Sequence, residues 1–433
     1  MNIIIVTYDW PPYADSVGSC QRMVYFAEYL REAGENVVVV AAKGFDEIDI
    51  GLMDAVASIS VEWAPSRVQS SRVARKNLIA SGRPVSFVDA IKGGLLGVAK
   101  RVMREIPMSY MAFDLRAFQA AIVRAARRFP RGADVVFISG PPHGLFALSL
   151  IVKRLLGRRL TVVLDYRDGW NTQAVHRRNN RFAAWVEERL ETACMRASDL
   201  VTHASPTLPA MFAERFEIGL QNGLAVMNGW WHQPSRAPAA PAAGDPLTIG
   251  YFGMANVGCG GFNDHACLLE AAGRCVKLGH SMRLFYYGSI ERDGSFELPS
   301  WVMTSKGIPP AEAANRMQDM DALVVVHTEA SSGREVLAGK IFDYARAGRP
   351  IICIAEPDAA MSKFILENDL GWVVRPNDVD GIADLLQGLA DRVRAWVPPS
   401  EKKLRGFSRA SQYQQCYERL RLLTGRSETS SSF

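Results

Sequence analysis

The sequence has 433 residues, with 50 Lys and Arg against 45 Asp and Glu for a formal net charge of +5. That length exceeds what one hydrophobic core supports, so two domains are expected, and 48% apolar with 22% charged residues excludes a disordered chain. The seven cysteines are odd in number and contain no C-x-x-C pair, which argues against a structural zinc site or a disulfide framework and for a reducing compartment.

The chain opens with an apolar run at residues 3–6, a Pro/Gly loop at 11–18 and an amphipathic stretch ending near Gly34; a second apolar run starts at Val37. Short buried strands alternating with helices predict a parallel sheet covered on both faces. The same order recurs at residues 134–139, 160–165 and 199–202. No signal peptide or membrane span is expected: the first residues lack a charged leader, and the uncharged run at 135–152 is broken by Gly140-Pro141-Pro142. Between Ala64 and Gly132, fourteen Lys and Arg stand against three acids. Residues 92–106 place Leu95, Leu96, Val102, Met103 and Ile106 on one helical stripe, with Lys100, Arg101 and Arg104 roughly opposite. Such a helix suits an anionic membrane surface, and equally a helix packed on the sheet with solvated cations. No nucleic-acid module is recognisable, so nucleic acid is not an expected partner.

A Pro/Ala-rich stretch without periodicity, opening Gln233-Pro234-Ser235-Arg236, predicts a linker over 233–246. The strand–helix order then restarts at 247–253, with a helix at 265–278 and strands near 283–287, 322–327, 350–354 and 372–374. A last helix is expected at 408–423, before a polar tail at 426–433. The predicted domains are 1–232 and 247–400, with 401–425 returning to the first. The expected fold class is α/β: two Rossmann-like, doubly wound parallel sheets facing a central cleft at the carboxyl ends of their strands, where such sheets bind ligands.

The strand at 322–327 leads into Ser331-Ser332-Gly333-Arg334-Glu335 and then Val336-Leu337-Ala338-Gly339-Lys340-Ile341-Phe342-Asp343-Tyr344. Gly339 can open a helix whose free N–H groups and positive end attract a phosphate. Lys340 adds charge in that first turn, and Asp343 shares its face and can accept from ribose hydroxyls. On spacing alone, an amphipathic helix with solvated charges is the simpler reading. The segment nevertheless resembles the donor site of GT-B glycosyltransferases of family four, which carry Glu, seven residues, then Glu. Glu335 and Asp343 stand at that spacing, followed by Tyr344-Ala345-Arg346-Ala347-Gly348-Arg349-Pro350. The run 339–344 resembles a bacterial branch that makes surface polysaccharides. The resemblance implies a GT-B fold, a nucleotide diphosphate sugar as donor, and retaining transfer to the hydroxyl of a lipid-linked or polysaccharide precursor. It places Glu335 near the donor sugar and Asp343 on the ribose, with Asp for Glu shortening the reach by one methylene.

The resemblance extends over nearly the whole chain. Tyr8-Asp9-Trp10-Pro11-Pro12 with Gly18-Ser19 matches the family's first loop, where a Gly-Gly pair approaches the donor phosphates; Ser19 replaces the second glycine. A plain strand-to-helix turn accounts for this loop equally well. Arg22, on the next helix, is a candidate on the acceptor side. His143 is expected at a strand end, pointing toward the second domain near the transferred sugar; a structural role is the alternative. Asp165-Tyr166-Arg167-Asp168-Gly169-Trp170 matches the branch's Asp, aromatic, Arg, Asp, x, Trp. Asp165 and Asp168 are then candidate catalytic groups and Arg167 and Trp170 acceptor-side residues, with an internal Asp165–Arg167 salt bridge as the alternative.

One departure stands out. The family's Arg and Lys after the first strand of the second domain are missing from Gly253-Met254-Ala255-Asn256-Val257-Gly258-Cys259-Gly260-Gly261. Glycine N–H groups can form an anion nest there instead, with charge supplied by Arg334 or Lys340. No Asp-x-Asp motif stands in a suitable loop, so neither a metal nor a cofactor beyond the donor substrate is expected. The resemblance thus makes 1–232 the acceptor side and 247–400 the donor side of a cytoplasmic enzyme working at the inner face of the membrane. A nucleotide-sugar epimerase of the same architecture and a non-catalytic binding relative are the alternatives.

Overall fold

The structure, a computed structural model, describes residues 1–14, 17–44, 47, 52–66, 112–172, 181–217, 219, 222–234, 245–294, 296–328 and 335–426. The basic helix expected at 92–106, most of the expected linker (235–244) and Arg334 lie outside these. The chain divides into two compact units, one of Met1–Val226 with Tyr413–Phe433 and one of Met227–Gln412.

In the first unit β1 (Asn2–Val6), β2 (Asn36–Lys43), β3 (Ser60–Pro65), β4 (Val135–Gly140), β5 (Thr161–Tyr166), β6 (Leu200–His203) and β7 (Gly223–Ala225) form one sheet. Its order is β3-β2-β1-β4-β5-β6-β7, and every pairing is parallel. β4 and β5 bury every residue, which is why they appear in the sequence as unbroken runs rather than alternating ones. One face packs Val40, Ile138 and Leu164 with Phe118 and Ile122 of the helix Ala112–Arg127. The other face carries the helix Val17–Glu32, whose Phe26 lies 4.9 Å from Phe137 and 5.2 Å from Tyr413 of the last helix, Arg409–Leu423. The strand order turns back between β1 and β4, so the loops after these two strands flank a switch point.

In the second unit β8 (Leu247–Phe252), β10 (Met282–Tyr287), β12 (Val302–Ser305), β13 (Ala322–His327), β14 (Ile351–Ala355) and β15 (Gly371–Val374) repeat the pattern as β12-β10-β8-β13-β14-β15, again all parallel. β9 (Ala255–Val257) and β11 (Ile290–Arg292) pair beside it as a short ribbon. The second switch point lies between β8 and β13. Both sheets are therefore the doubly wound α/β sheets expected from the sequence.

The differences are local. β3, β7, β9, β11 and β12 were not foreseen, because they are short or carry polar residues where water reaches one side; β12 exposes three of its four residues. The first helix begins at Val17, so Gly18 and Ser19 occupy its first turn instead of the preceding loop. Among the described residues, no helix is long and apolar enough to cross a membrane.

The ends of β8 and β10 meet at two glycines. Gly288 has φ +148°, and a β-carbon there would stand 2.1 Å from the Gly253 carbonyl oxygen. Gly288→Ala is expected to lower unfolding free energy by about 2–4 kcal/mol, through backbone strain and the clash together. Urea denaturation measures it, and a loss under about 0.5 kcal/mol would contradict so close an approach.

Candidate functional site

Of the expected donor residues, Gly253, Glu335, Gly339, Lys340 and Asp343 lie in the second unit after β8 and β13, whereas Gly18 and Ser19 lie on the first helix of the first unit. Gly339 caps the seven-residue helix Lys340–Arg346, so Lys340 does open a helix. The Ile341 N–H is already bonded to the Ala338 carbonyl at 3.1 Å, which leaves this short turn fewer donors than a free helix start offers. Tyr344 fixes the helix to the sheet: its hydroxyl accepts from the Phe252 N–H at 2.9 Å.

Lys340 is half-buried, and among the described residues its ammonium has no hydrogen-bond or ion-pair partner. It lies 3.9 Å from the centroid of the Tyr251 ring. Burial pulls its pKa down to about 7. Gly253 gives it room, since a β-carbon on Gly253 would stand 3.1 Å from Lys340 Nζ. The Gly253 N–H itself is bonded to the Tyr287 carbonyl at 2.9 Å, so Gly253 contributes space here and no phosphate donor. Asp343 is half-buried on the same helix. Burial pushes its pKa up to about 6, against the pull of the Arg409 charge and of the Trp231 backbone amide. Glu335 is buried just before this helix, 6% exposed.

The anion nest expected in the glycine loop is already filled. Asp264 accepts from the N–H groups of Gly258 at 3.0 Å, Gly260 at 2.8 Å and Ala266 at 3.0 Å. Three converging N–H groups attract a carboxylate as they attract a phosphate, and the chain supplies its own. The loop is further tied down where the Thr328 N–H and hydroxyl donate to the Phe262 and Gly261 carbonyls.

In the first unit the expected site residues divide between two faces of the sheet. Asp165 is fully buried and its carboxylate is enclosed. Arg22 donates to it from Nη2 at 2.7 Å and from Nε at 3.1 Å, Ser139 at 2.8 Å and Thr202 at 2.7 Å. Burial works to raise the Asp165 pKa, but the Arg22 charge and these hydrogen bonds outweigh it and hold the carboxyl below its ordinary value. The salt bridge is internal, as one reading of the sequence allowed, yet its partner is Arg22 and not Arg167. The Arg167 guanidinium donates instead to the Ser19 carbonyl. Asp165 and Arg22, expected as catalytic and acceptor-side groups, are thus enclosed in a buried ion pair, with the carboxylate's hydrogen bonds made inside the unit.

On the opposite face His143 is buried among rings instead of pointing out of the unit. It stacks on Trp170 at 5.9 Å and Tyr166 at 5.9 Å, and its Nε2–H donates to the Asp168 carbonyl at 2.9 Å. An imidazole so enclosed shapes the loop after β5, because aromatic neighbours exclude the water that would let it reach outward. Trp170, 5% exposed, belongs to the same cluster. Asp168 is half-buried, and among the described residues its carboxylate makes no hydrogen bond or ion pair. Gly18 is exposed, with open space where a side chain would stand.

Tyr251, Asn263 and Asp264 were not foreseen as site residues. A tyrosine in a buried strand looks like any core aromatic, and an aspartate ahead of a helix looks like an ordinary cap.

No protein-family profile matches the sequence, and no curated protein matches it. Solved structures do share its fold. Sucrose-phosphate synthase (tll1590) from Thermosynechococcus elongatus has a TM-score of 0.64 at 14% identity, covering 99% of this chain and 100% of that one. The lipopolysaccharide outer core galactosyltransferase WaaB gives 0.55 at 11% identity, covering 96% and 98%. A protein from Listeria monocytogenes described as a UDP-N-acetylglucosamine 2-epimerase gives 0.53 at 10%, covering 100% and 99%. The fold is therefore GT-B, matched along essentially the whole chain. Identities of this size speak for the fold alone, and what the chain does must come from its own residues.

Removing one partner of the buried pair leaves the other charge without compensation, so Asp165→Asn is expected to cost about 3–5 kcal/mol of stability. Because the folded pKa is depressed, the contribution of Asp165 is present above the ordinary carboxylate pKa of about 4 and is lost as pH falls through the lower folded value. Urea titrations at neutral and acid pH check both points; an Asp165→Asn protein as stable as the wild type would show that the pair contributes no net stability.

Proposed function

We propose that the protein is a glycosyltransferase that moves a sugar from a nucleotide diphosphate sugar to an acceptor hydroxyl. The acceptor in this reading is a lipid-linked or polysaccharide precursor of a bacterial surface glycan. The observation that carries the reading is the Lys340 ammonium, held half-buried at the second switch point with no counter-ion among the described residues. A cation in that state lowers its free energy when an anion arrives, and a diphosphate is the anion this fold's switch points accommodate. The donor's bond from anomeric carbon to phosphate oxygen breaks, a bond from that carbon to the acceptor oxygen forms, and the acceptor proton is released. Lys340 offsets the charge that develops on the departing diphosphate. Unit 2 holds the donor in this scheme, with Glu335 near the sugar and Asp343 near the ribose. Asp168, whose carboxylate is uncommitted, serves the acceptor. The transfer is expected to retain anomeric configuration, to need no divalent ion and no cofactor, and to take place on the cytoplasmic side, at the membrane surface.

Full-length likeness to a protein described as an epimerase makes isomerisation of the donor the second reading. Incubation with UDP-, GDP- and TDP-sugars separates the two. Slow release of nucleoside diphosphate, unchanged within about twofold by EDTA, is expected for transfer. Isomerised sugar supports the epimerase, and binding without turnover supports a non-catalytic protein.

The diphosphate of a nucleotide sugar keeps its charge from about pH 6 to about pH 9, so the pH dependence of its binding reports Lys340. A bound anion favours the charged amine and raises its pKa above the free value of about 7. Affinity should be full below about pH 7 and fall by up to about tenfold per pH unit above it, until the bound-state pKa is reached. Lys340→Met should weaken binding about ten- to a hundredfold at low pH and abolish the step. Calorimetric titration across this range checks it, and a step that persists in Lys340→Met would show that another group is responsible.

A further inference from the structure

The family's Arg and Lys grip is missing from the loop after β8, yet the structure offers a different arrangement in the same place. The Lys340 ammonium lies over the face of Tyr251, within the range at which an aromatic ring attracts a cation. Tyr251 is itself immobilised. Its hydroxyl donates to the Met254 carbonyl at 2.7 Å and accepts from Asn263 Nδ2 at 2.7 Å. Its ring meets His265 edge-on at 4.4 Å, and His265 Nδ1 in turn meets the Tyr286 hydroxyl at 3.1 Å. Three side chains, Asn263, His265 and Tyr286, and the Met254 carbonyl thus set one ring plane, and that plane faces the amine.

We propose that Tyr251 is a positioning residue for donor binding, its ring face holding the Lys340 ammonium charged and in place for an incoming diphosphate. This deepens the glycosyltransferase reading and rests on it for the identity of the anion. The physical reason is that a half-buried ammonium without a carboxylate partner among the described residues must be stabilised without being neutralised. A carboxylate would stabilise it more strongly, but would compete with the phosphate; a ring quadrupole leaves the positive charge available. Of the titratable groups around the amine, Tyr251, Tyr344 and His265 keep one protonation state near neutral pH, and Asp343 is the one that titrates nearby. Burial keeps the Tyr251 hydroxyl protonated to about 12 and the Tyr344 hydroxyl well beyond its ordinary value. Burial, then the Lys340 charge, pulls His265 down to about 3. Asp343, on the amine's own helix, titrates near 6.

The test replaces Tyr251 with phenylalanine and then with mono-, di- and trifluorinated phenylalanines, which keep the ring's shape while draining charge from its face. Binding of UDP and of inorganic pyrophosphate is measured by calorimetry, and the Lys340 midpoint by NMR of the carbon-13-methylated amine. Tyr251→Phe is expected to bind within about twofold of the wild type, while losing some thermal stability with its hydroxyl bonds. Successive fluorines should weaken binding to a total of about five- to thirtyfold and move the Lys340 midpoint progressively down. Tyr251→Leu should do both at once. A fluorinated series that leaves midpoint and affinity flat would overturn the proposal and make Tyr251 an ordinary core ring. If Lys340→Met binds UDP like the wild type, the donor reading fails; a midpoint that still follows fluorination would then uphold the Tyr251–Lys340 coupling alone.

Discussion

A charge taken out of water needs a partner, and the two halves of this protein meet that requirement in opposite ways. In the first unit Arg22 and Asp165 neutralise each other inside the sheet's helical covering. The pair joins the helix Val17–Glu32 to β5, with Ser139 of β4 and Thr202 of β6 completing the carboxylate's shell. The Tyr413 hydroxyl donates to the Arg22 carbonyl at 3.0 Å, so the last helix is fastened to the same point. The helix Val17–Glu32, β4, β5 and β6 are therefore tied together at one carboxylate, and loss of one partner would strand a charge in a medium that cannot solvate it.

The second unit repeats the topology and leaves its charge open. Lys340 follows β13, the counterpart of β4 in the strand order, and meets the ring of Tyr251 on β8 instead of a carboxylate. Two sheets of the same winding thus differ in what their switch points can accept. The first pairs its buried cation with a carboxylate, and the second leaves the Lys340 ammonium without a counter-ion among the described residues. The asymmetry is the physical support for placing the donor on the second unit in the proposed reading.

The parallel strands were legible because burial on both faces writes them as continuous apolar runs: residues 3–6, 160–165 and 322–327 all fall within a few positions of the observed strands. The helix start at Lys340 was legible from Gly339. What the sequence could not disclose was which polar groups meet across long separations. Arg167, two residues from Asp165, is the natural partner by proximity, whereas Arg22 lies 143 residues away and is brought in by the sheet's winding. The glycine loop shows the same limit. Gly258 and Gly260 do turn their N–H groups inward together, as their spacing suggested, but Asp264 reaches back to occupy them. His143 was placed at the right strand end and oriented wrongly, because Trp170 and Tyr166, which enclose it, belong to another loop and another strand.

The occupied nest and the single lysine are connected. A nest filled by Asp264 carries a net negative group beside the glycine loop, which repels a second anion over the short distances where screening is weak. In the proposed reading a diphosphate is therefore favoured near Lys340 and disfavoured toward Gly258 and Gly260, whose N–H groups Asp264 already occupies. A side chain at Gly253 would press on the amine. In the proposed reading the diphosphate meets one cation, whose ring neighbour is clamped and which has a glycine beside it. Such a grip binds less tightly than two salt-bridged cations, and it makes donor affinity sensitive to pH near neutrality, because the whole attractive charge resides in an amine that burial has brought to about 7.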